Sequence, residues 1–353
     1  MNAPVKLSHV ARFADLRDPA TVARIDEFVS DQGASVFHRP VWLQAVEAGT
    51  GKTATGIITE QLGVITGWLP LTEVRSLLFA NTLVSSGFGV GGGILAESND
   101  AVNALAKAAQ HHAANAGFCS IETRGGAIPQ DWPRWEDKHC GFERDLAEDD
   151  EEELLAIPRK ARAEVRKGLK KDLEIRIARE QRDLDAHYTV YSESVRNLGT
   201  PVFPRKLFKA MLDAFPNESD ILTVFKDGKP ISSLFSFYHG GAVLPFWGGG
   251  TFAARNERAN ELMYYKLMLH ARGRGMKRFD FGRSKTGSGP YNFKKNWGFE
   301  PVPLKYGEWT APREEGRDID PTSDAYSRKI ELWKKLPLPV ANVIGPWIAR
   351  DLA

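Results

Sequence analysis

Gly33-Ala34-Ser35-Val36-Phe37-His38-Arg39-Pro40-Val41-Trp42-Leu43 is answered 166 residues later by Gly199-Thr200-Pro201-Val202-Phe203-Pro204-Arg205-Lys206-Leu207-Phe208-Lys209. Gly, Val, Phe and Arg coincide, and Trp42 meets the aromatic Phe208. Outward from this pair the match keeps its order. Each copy runs into a helical stretch, 43–48 or 209–215. Gly63 or Gly228 then marks a turn before a β-rich segment. The next strand ends in glycines, Gly91-Gly92-Gly93 or Gly248-Gly249-Gly250, and a helix follows over 99–116 or 256–274. Both helices close at a glycine, Gly117 or Gly275, as a C-terminal cap requires. A short strand, 118–123 or 277–281, and a polar loop finish each copy. Deleted loop residues account for the offset narrowing to 158 at these last glycines. The order predicts a tandem duplication of an α/β (α+β) module with mixed, largely antiparallel sheets. Two packed domains would then place the default ligand site in the groove between them.

Composition fits that reading and removes others. With 42% hydrophobic and 26% charged residues in 353, there is ample material for buried cores. No apolar run reaches the roughly 18–20 residues of a membrane-spanning helix, and residues 1–18 lack the continuous apolar stretch of a secretory signal. Two cysteines exclude a disulfide scaffold, and the eight histidines show no zinc-ligand spacing, so no metal is expected. A net charge of +2 does not by itself point to nucleic acid. These features predict a reduced, cytoplasmic protein.

The segment joining the copies is different. An acidic run, Glu148–Glu153, precedes Pro158 and a crowd of cations from Arg159 to Arg182. Acids before and bases after suit one helix dipole. The domains therefore read as 1–150, a basic linker helix over 151–182, a second domain over 183–315 and an amphipathic tail over 316–353. The cations either dress a solvated helix or form a ridge for the phosphates of RNA or a nucleotide-linked substrate. No aromatics interleave here to stack bases.

Chemistry concentrates after the last strand of the second copy: Phe279-Asp280-Phe281-Gly282-Arg283-Ser284-Lys285, then Tyr291-Asn292-Phe293-Lys294-Lys295-Asn296-Trp297-Gly298-Phe299. A strand end followed by cations, hydroxyls and glycines either makes a solvated turn or presents ligand-binding groups. Lys294 and Lys295, read at the start of a short helix, lie between Phe293 and Trp297. A cation held among aromatics can stabilise charge building on a carbonyl oxygen or phosphate. Asp280 and Glu122 occupy equivalent strand ends, and either could act as a base. Neither a P-loop nor a G-x-S-x-G elbow is present, and Gly89–Gly93 lacks the helix start of a dinucleotide fingerprint.

With these residues in place, the chain resembles the Fem-type aminoacyl transferases, and among them the FemAB-related branch associated with the PEP-CTERM/exosortase system. Residues 37–42 are similar to that family's F-x-x-x-x-W opening. The resemblance implies two GNAT-like acyltransferase domains in tandem. It also implies transfer of an aminoacyl or acyl group to an amine on a cell-envelope or exopolysaccharide precursor. No bound cofactor is implied; the donor would be aminoacyl-tRNA or, alternatively, acyl-CoA or an acyl carrier. It assigns Lys294, beside Phe293, to the developing tetrahedral centre, and would have Arg205, Phe208 and Trp247 hold the precursor. The residues themselves add Asp280 as candidate base, with Arg283, Ser284, Lys285, Tyr291 and Lys295 lining the same site. Two departures stand out: Glu47 falls where the family places a phosphate-binding lysine, and the coenzyme A signature R-x-x-G-x-G/A is not evident. A non-catalytic binding protein of polysaccharide assembly is the alternative from another class.

The tail reads as a helix over 326–335, broken by Pro337-Leu338-Pro339. Val343, Ile344, Trp347, Ile348 and Leu352 follow among Arg350 and Asp351. It either packs back on its own domain or rests peripherally on the inner membrane.

Overall fold

A computed structural model describes residues 9–76, 79–312, 314 and 330–352. The chain divides into two units, each built on a mixed sheet. Unit 1 comprises Met1–Glu136, Leu304–Ile319 and Asp351–Ala353; unit 2 comprises Asp137–Pro303 and Asp320–Arg350.

In unit 1, β1 (Val10–Phe13) leads to α1 (Pro19–Asp31) and α2 (Pro40–Thr50). The antiparallel run β2 (Thr53–Gln61), β3 (Val64–Val74) and β4 (Thr82–Ser85) follows. The short β5 (Leu95–Ala96) pairs with β3 before α3 (Asn99–Ala116). Then β6 (Ser120–Arg124) lies parallel to β4, and β7 (Arg134–Trp135) ends the stretch. Ser98 caps α3 by accepting from the Ala101 N–H, and Gly117 closes it at φ 73°. Apolar residues of α3 pack on one face of the sheet, while Ile25, Phe28 and Leu43 of α1 and α2 pack with Trp68 in a second core.

Unit 2 repeats the order: β9 (Glu174–Ala178), α6 (Gln181–Leu198), α7 (Arg205–Ala214), β10 (Ser219–Lys226), β11 (Lys229–His239), β12 (Ala242–Gly250), α9 (Ala259–Gly273) and β13 (Arg278–Asp280). Here β12 and β13 are the parallel pair. The likeness reaches individual residues. Each hairpin turns on two residues with positive φ, Leu62-Gly63 and Asp227-Gly228, the turn that matches strand twist. Three residues past each glycine the ladder skips one residue, Thr66 in β3 and Ile231 in β11. Arg39 and Arg205, matched in the repeat, each pair with an aspartate of the preceding helix, Asp26 of α1 and Asp185 of α6. The repeated segment thus pins two helices together in each copy.

Three expectations are corrected. The expected basic helix over 151–182 is instead α4 (Asp150–Ala156), α5 (Arg159–Leu169) and the strand β9. Ile175 and Ile177 alternate with Glu174 and Arg176, a strand's period of two hidden by the surrounding charge. The helix expected over 256–274 breaks at Arg258, whose φ is 56°. Its guanidinium holds the break by pairing with Glu164 and donating to the Arg255 carbonyl. Strand pairing also moves the expected boundary from 150. The strand β8 (His139–Asp145) precedes it in sequence but pairs with β13 in unit 2. Conversely, β16 (Tyr306–Thr310), past the second copy, pairs with β6 in unit 1.

The triple glycines ending β12 serve packing. A Cβ at Gly249 would lie 2.1 Å from Ser194 Oγ on α6. In the tail, residues 326–329 lie outside the described residues. Pro337 and Pro339 begin a helix, α11 (Leu338–Ala349), instead of merely ending one.

Candidate active site

β12 and β13 are joined at only two positions, Ala242 with Arg278 and Val243 with Phe279. Beyond them β12 continues to Gly250 on β11 alone, while β13 stops at Asp280. The two parallel strands therefore part, and the chain leaving β13 occupies the end of the sheet.

That chain is fixed by backbone bonds. The Phe281 N–H donates to the Phe142 carbonyl at 2.7 Å, and Gly282, at φ 71°, donates to Asp280 Oδ1 at 2.9 Å. β14 (Ser284–Lys285) pairs with Cys140 and His139 of β8. Ser288 then caps α10 (Gly289–Asn296) by accepting from the Tyr291 N–H, with Pro290 in its first turn. Lys294 and Lys295 sit in the last turn of α10, not at its start, because the helix begins at this Ser-Gly-Pro sequence.

From there Lys294 reaches back to the strand end. Its Nζ donates to the carbonyls of Gly282 and Arg283, both at 3.0 Å. The rings of Phe142 and Phe281 stand 5.3 and 5.4 Å from Nζ. The residue is 8% exposed. Burial brings the lysine down to about 8, against the opposing pull of Asp280, and Arg283 lowers it further. Asp280 is pushed up by burial, although the Gly282 N–H and Lys294 favour its charge. Two N–H groups of Lys294 are committed to carbonyls in either protonation state. What changes near pH 8 is the third position, a proton donor below and a lone pair above. Such a group can stabilise an oxyanion or take a proton.

Around this pair the structure gathers most of the expected residues. Tyr291 meets Phe142 edge to face, Phe293 packs with Tyr264 and Trp297, and the exposed Lys295 lies 5.8 Å over Tyr291. Arg283 and Lys285 flank the buried Ser284, whose hydroxyl has no hydrogen-bond partner among the described residues. Two residues missed in the sequence, Phe142 and Glu143, come from β8. Their pattern gives no local signal, because a pairing between distant strands places them here.

Arg205, Phe208 and Trp247 are not part of this cluster. Phe208 is wholly buried, Trp247 packs edge to face on it at 5.1 Å, and Phe235 and His187 complete an aromatic core. Phe208 has no accessible surface with which to contact a ligand and is corrected to a core residue; Trp247, 4% exposed, packs with it in the same core. His187 within this core is held neutral, its burial lowering it to about 3. Arg205 is committed to Asp185. In unit 1 the equivalent strand-end acid, Glu122, is paired with the buried Arg124 at 2.7 Å. The acid–lysine pair belongs to the second copy.

Residues 158–295 match the family model for an acetyltransferase (GNAT) domain. No curated protein matches the chain in sequence. Among solved structures, FemX aligns at a TM-score of 0.66 and 14% identity, over 86% of this chain and 97% of that one. A tandem GNAT protein from the clavulanic acid biosynthesis pathway aligns at 0.58 and 12%, over 87% and 100%. The C-terminal domain of a putative lysylphosphatidylglycerol synthetase from Agrobacterium fabrum aligns at 0.55 and 13%, over 81% and 90%. Two copies of one βααβββαβ order, the second carrying the matched domain, give this chain a tandem GNAT fold.

Proposed function

We propose that the chain transfers an aminoacyl or acyl group to an amine on a cell-envelope or exopolysaccharide precursor. The observation carrying this reading is the buried Lys294 ammonium at the parted strands of unit 2, beside Asp280. The acceptor nitrogen attacks the donor's carbonyl carbon, forming the C–N bond. Lys294 donates its third N–H to the developing oxyanion, and Asp280 takes the proton released by the amine. Collapse breaks the donor's ester or thioester bond, and that proton passes to the departing oxygen or sulfur. Resemblance to the exosortase-associated Fem branch supports the precursor class.

A row on α5 supports an aminoacyl-tRNA donor. Arg159, Arg162 and Arg166 recur at helical spacing, and with Lys170 just past the helix end they line a shallow cavity of about 330 Å³. A phosphate backbone suits such a row. Single-turnover transfer with charged tRNA, and separately with acyl-CoA, tests the reading. Lys294→Ala is expected to slow the productive donor about 10²–10³-fold with circular dichroism unchanged. Near-normal transfer by Lys294→Ala would remove the role. Productive turnover with acyl-CoA alone would reassign the donor.

A further inference from the structure

The inward stripe of α11 consists of its smallest residues, Ala341, Gly345 and Ala349, each four positions apart. α11 packs on α6, where Asn342 donates to Ser192 Oγ at 3.3 Å. A Cβ at Gly345 would stand 3.0 Å from the Val202 nitrogen, so the contact is close. The bulky apolar residues point the other way: Val340, Val343, Ile344 and Trp347 are 41%, 78%, 40% and 54% exposed. Leu332, ahead of the helix, and Leu198, at the end of α6, are also exposed. Scattered apolar residues on a surface are ordinary, but a stripe along one helix marks a docking face.

Charge identifies the occupant. The two carboxylates of residues 330–352, Glu331 and Asp351, are held by Lys334 and Lys52, each at 2.6 Å. Lys335 stands exposed at one end of the stripe, and the Arg350 guanidinium lies 5.6 Å over the Trp347 ring at the other. A second copy of the chain would bring like charges together. An anionic lipid surface offers phosphates to the cations and an acyl boundary to the apolar stripe and Trp347. No helix among the described residues is long and apolar enough to cross a membrane. We infer that the outer face of α11 docks this protein on the surface of a membrane carrying anionic lipids. This goes beyond the proposed reaction and stands without it.

The test is flotation of the full chain with phosphatidylglycerol-containing vesicles and with pure phosphatidylcholine vesicles, at low and high salt. Binding is expected to the anionic vesicles, to weaken with salt, and to fall at least tenfold in Val343→Asp/Trp347→Ser. Lys335→Glu should cost about fivefold or more. Both changes lie on exposed positions, and near-UV circular dichroism checks that the variants fold. No flotation, or flotation indifferent to these substitutions, overturns the inference. So does a concentration-dependent dimer, abolished by Val343→Asp, that forms without vesicle binding, because the face would then be covered by a second copy. Vesicle binding is read without acyl transfer, so failure of either proposal leaves the other standing.

Discussion

At Lys294 two demands meet: an ammonium in a largely apolar site, and two carbonyls that need its protons. The first lowers its proton affinity; the second ensures that whatever remains is aimed at one place. Folded, the group releases its proton near pH 8; unfolded, near the ordinary 10.5. Between these values the unfolded chain binds more protons, so folding stability rises with pH across that window. Against Lys294→Met, which cannot titrate, wild type should therefore gain stability from pH 7.5 to 10, on the order of 2 kcal/mol. Thermal melts of both proteins at stepped pH measure this, and a constant difference would contradict the described burial. If the protonated form supports transfer, the single-turnover rate falls as pH passes 8; a rate climbing through pH 9 would make Lys294 a base. Two other residues separate packing from binding. Phe208→Ala should destabilise the chain by about 3–5 kcal/mol, whereas Arg205→Ala, breaking a half-exposed ion pair, should cost under about 1 kcal/mol and leave the acceptor KM unchanged. A selective rise in KM for Arg205→Ala would return it to the binding site.

Elements were legible to the extent that their signals were local. Ser98 and Gly117 bracket α3, and turn glycines announce both hairpins, so the order of the copies could be read directly. β9 was obscured because Arg176, Arg179 and Arg182 extend the charge of α5 across a short alternating strand. Gly248–Gly250 were legible as a strand end, whereas Gly91–Gly93, read the same way, lie beyond β4, which stops at Ser85. The cause at Gly249 was not legible: it lies in α6, whose distance from β12 no sequence pattern states. Gly249→Ala tests that cause. The new methyl would meet Ser194 Oγ at 2.1 Å and Cβ at 2.7 Å, and a loss of about 1–3 kcal/mol is expected from such overpacking. Ser194→Gly removes both atoms and should recover much of that loss in the double variant, beyond its own cost of about 1 kcal/mol in a helix. Purely additive losses in chemical denaturation would place the strain elsewhere.

For the whole molecule, chain order and sheet membership disagree, which is why a boundary at residue 150 could be read from the acidic run and yet not follow the fold. A strand is assigned to its sheet by the edge it completes, and hydropathy within β8 or β16 does not say which edge that is. The edge of β6 is completed by five residues from far along the chain, Tyr306 to Thr310. Their arrival satisfies further groups: Gly125 donates to the Lys305 carbonyl at 2.8 Å, and the Tyr306 hydroxyl donates to the Val90 carbonyl at 3.2 Å. A fragment 1–150 would keep β8 without its partner β13 and leave β6 as an open edge, which invites association. That fragment is expected to unfold without a cooperative transition and to aggregate. A fragment 1–136 joined through a flexible glycine–serine linker to 304–314 carries β16 in place of β8. It should recover a sigmoidal urea transition and monomeric elution, because its sheet then has every strand that unit 1 uses. Cooperative unfolding of 1–150 alone would mean that β8 can complete β6 in the absence of β16, and that sheet membership is decided by competition between the two strands and not by the fit of either one.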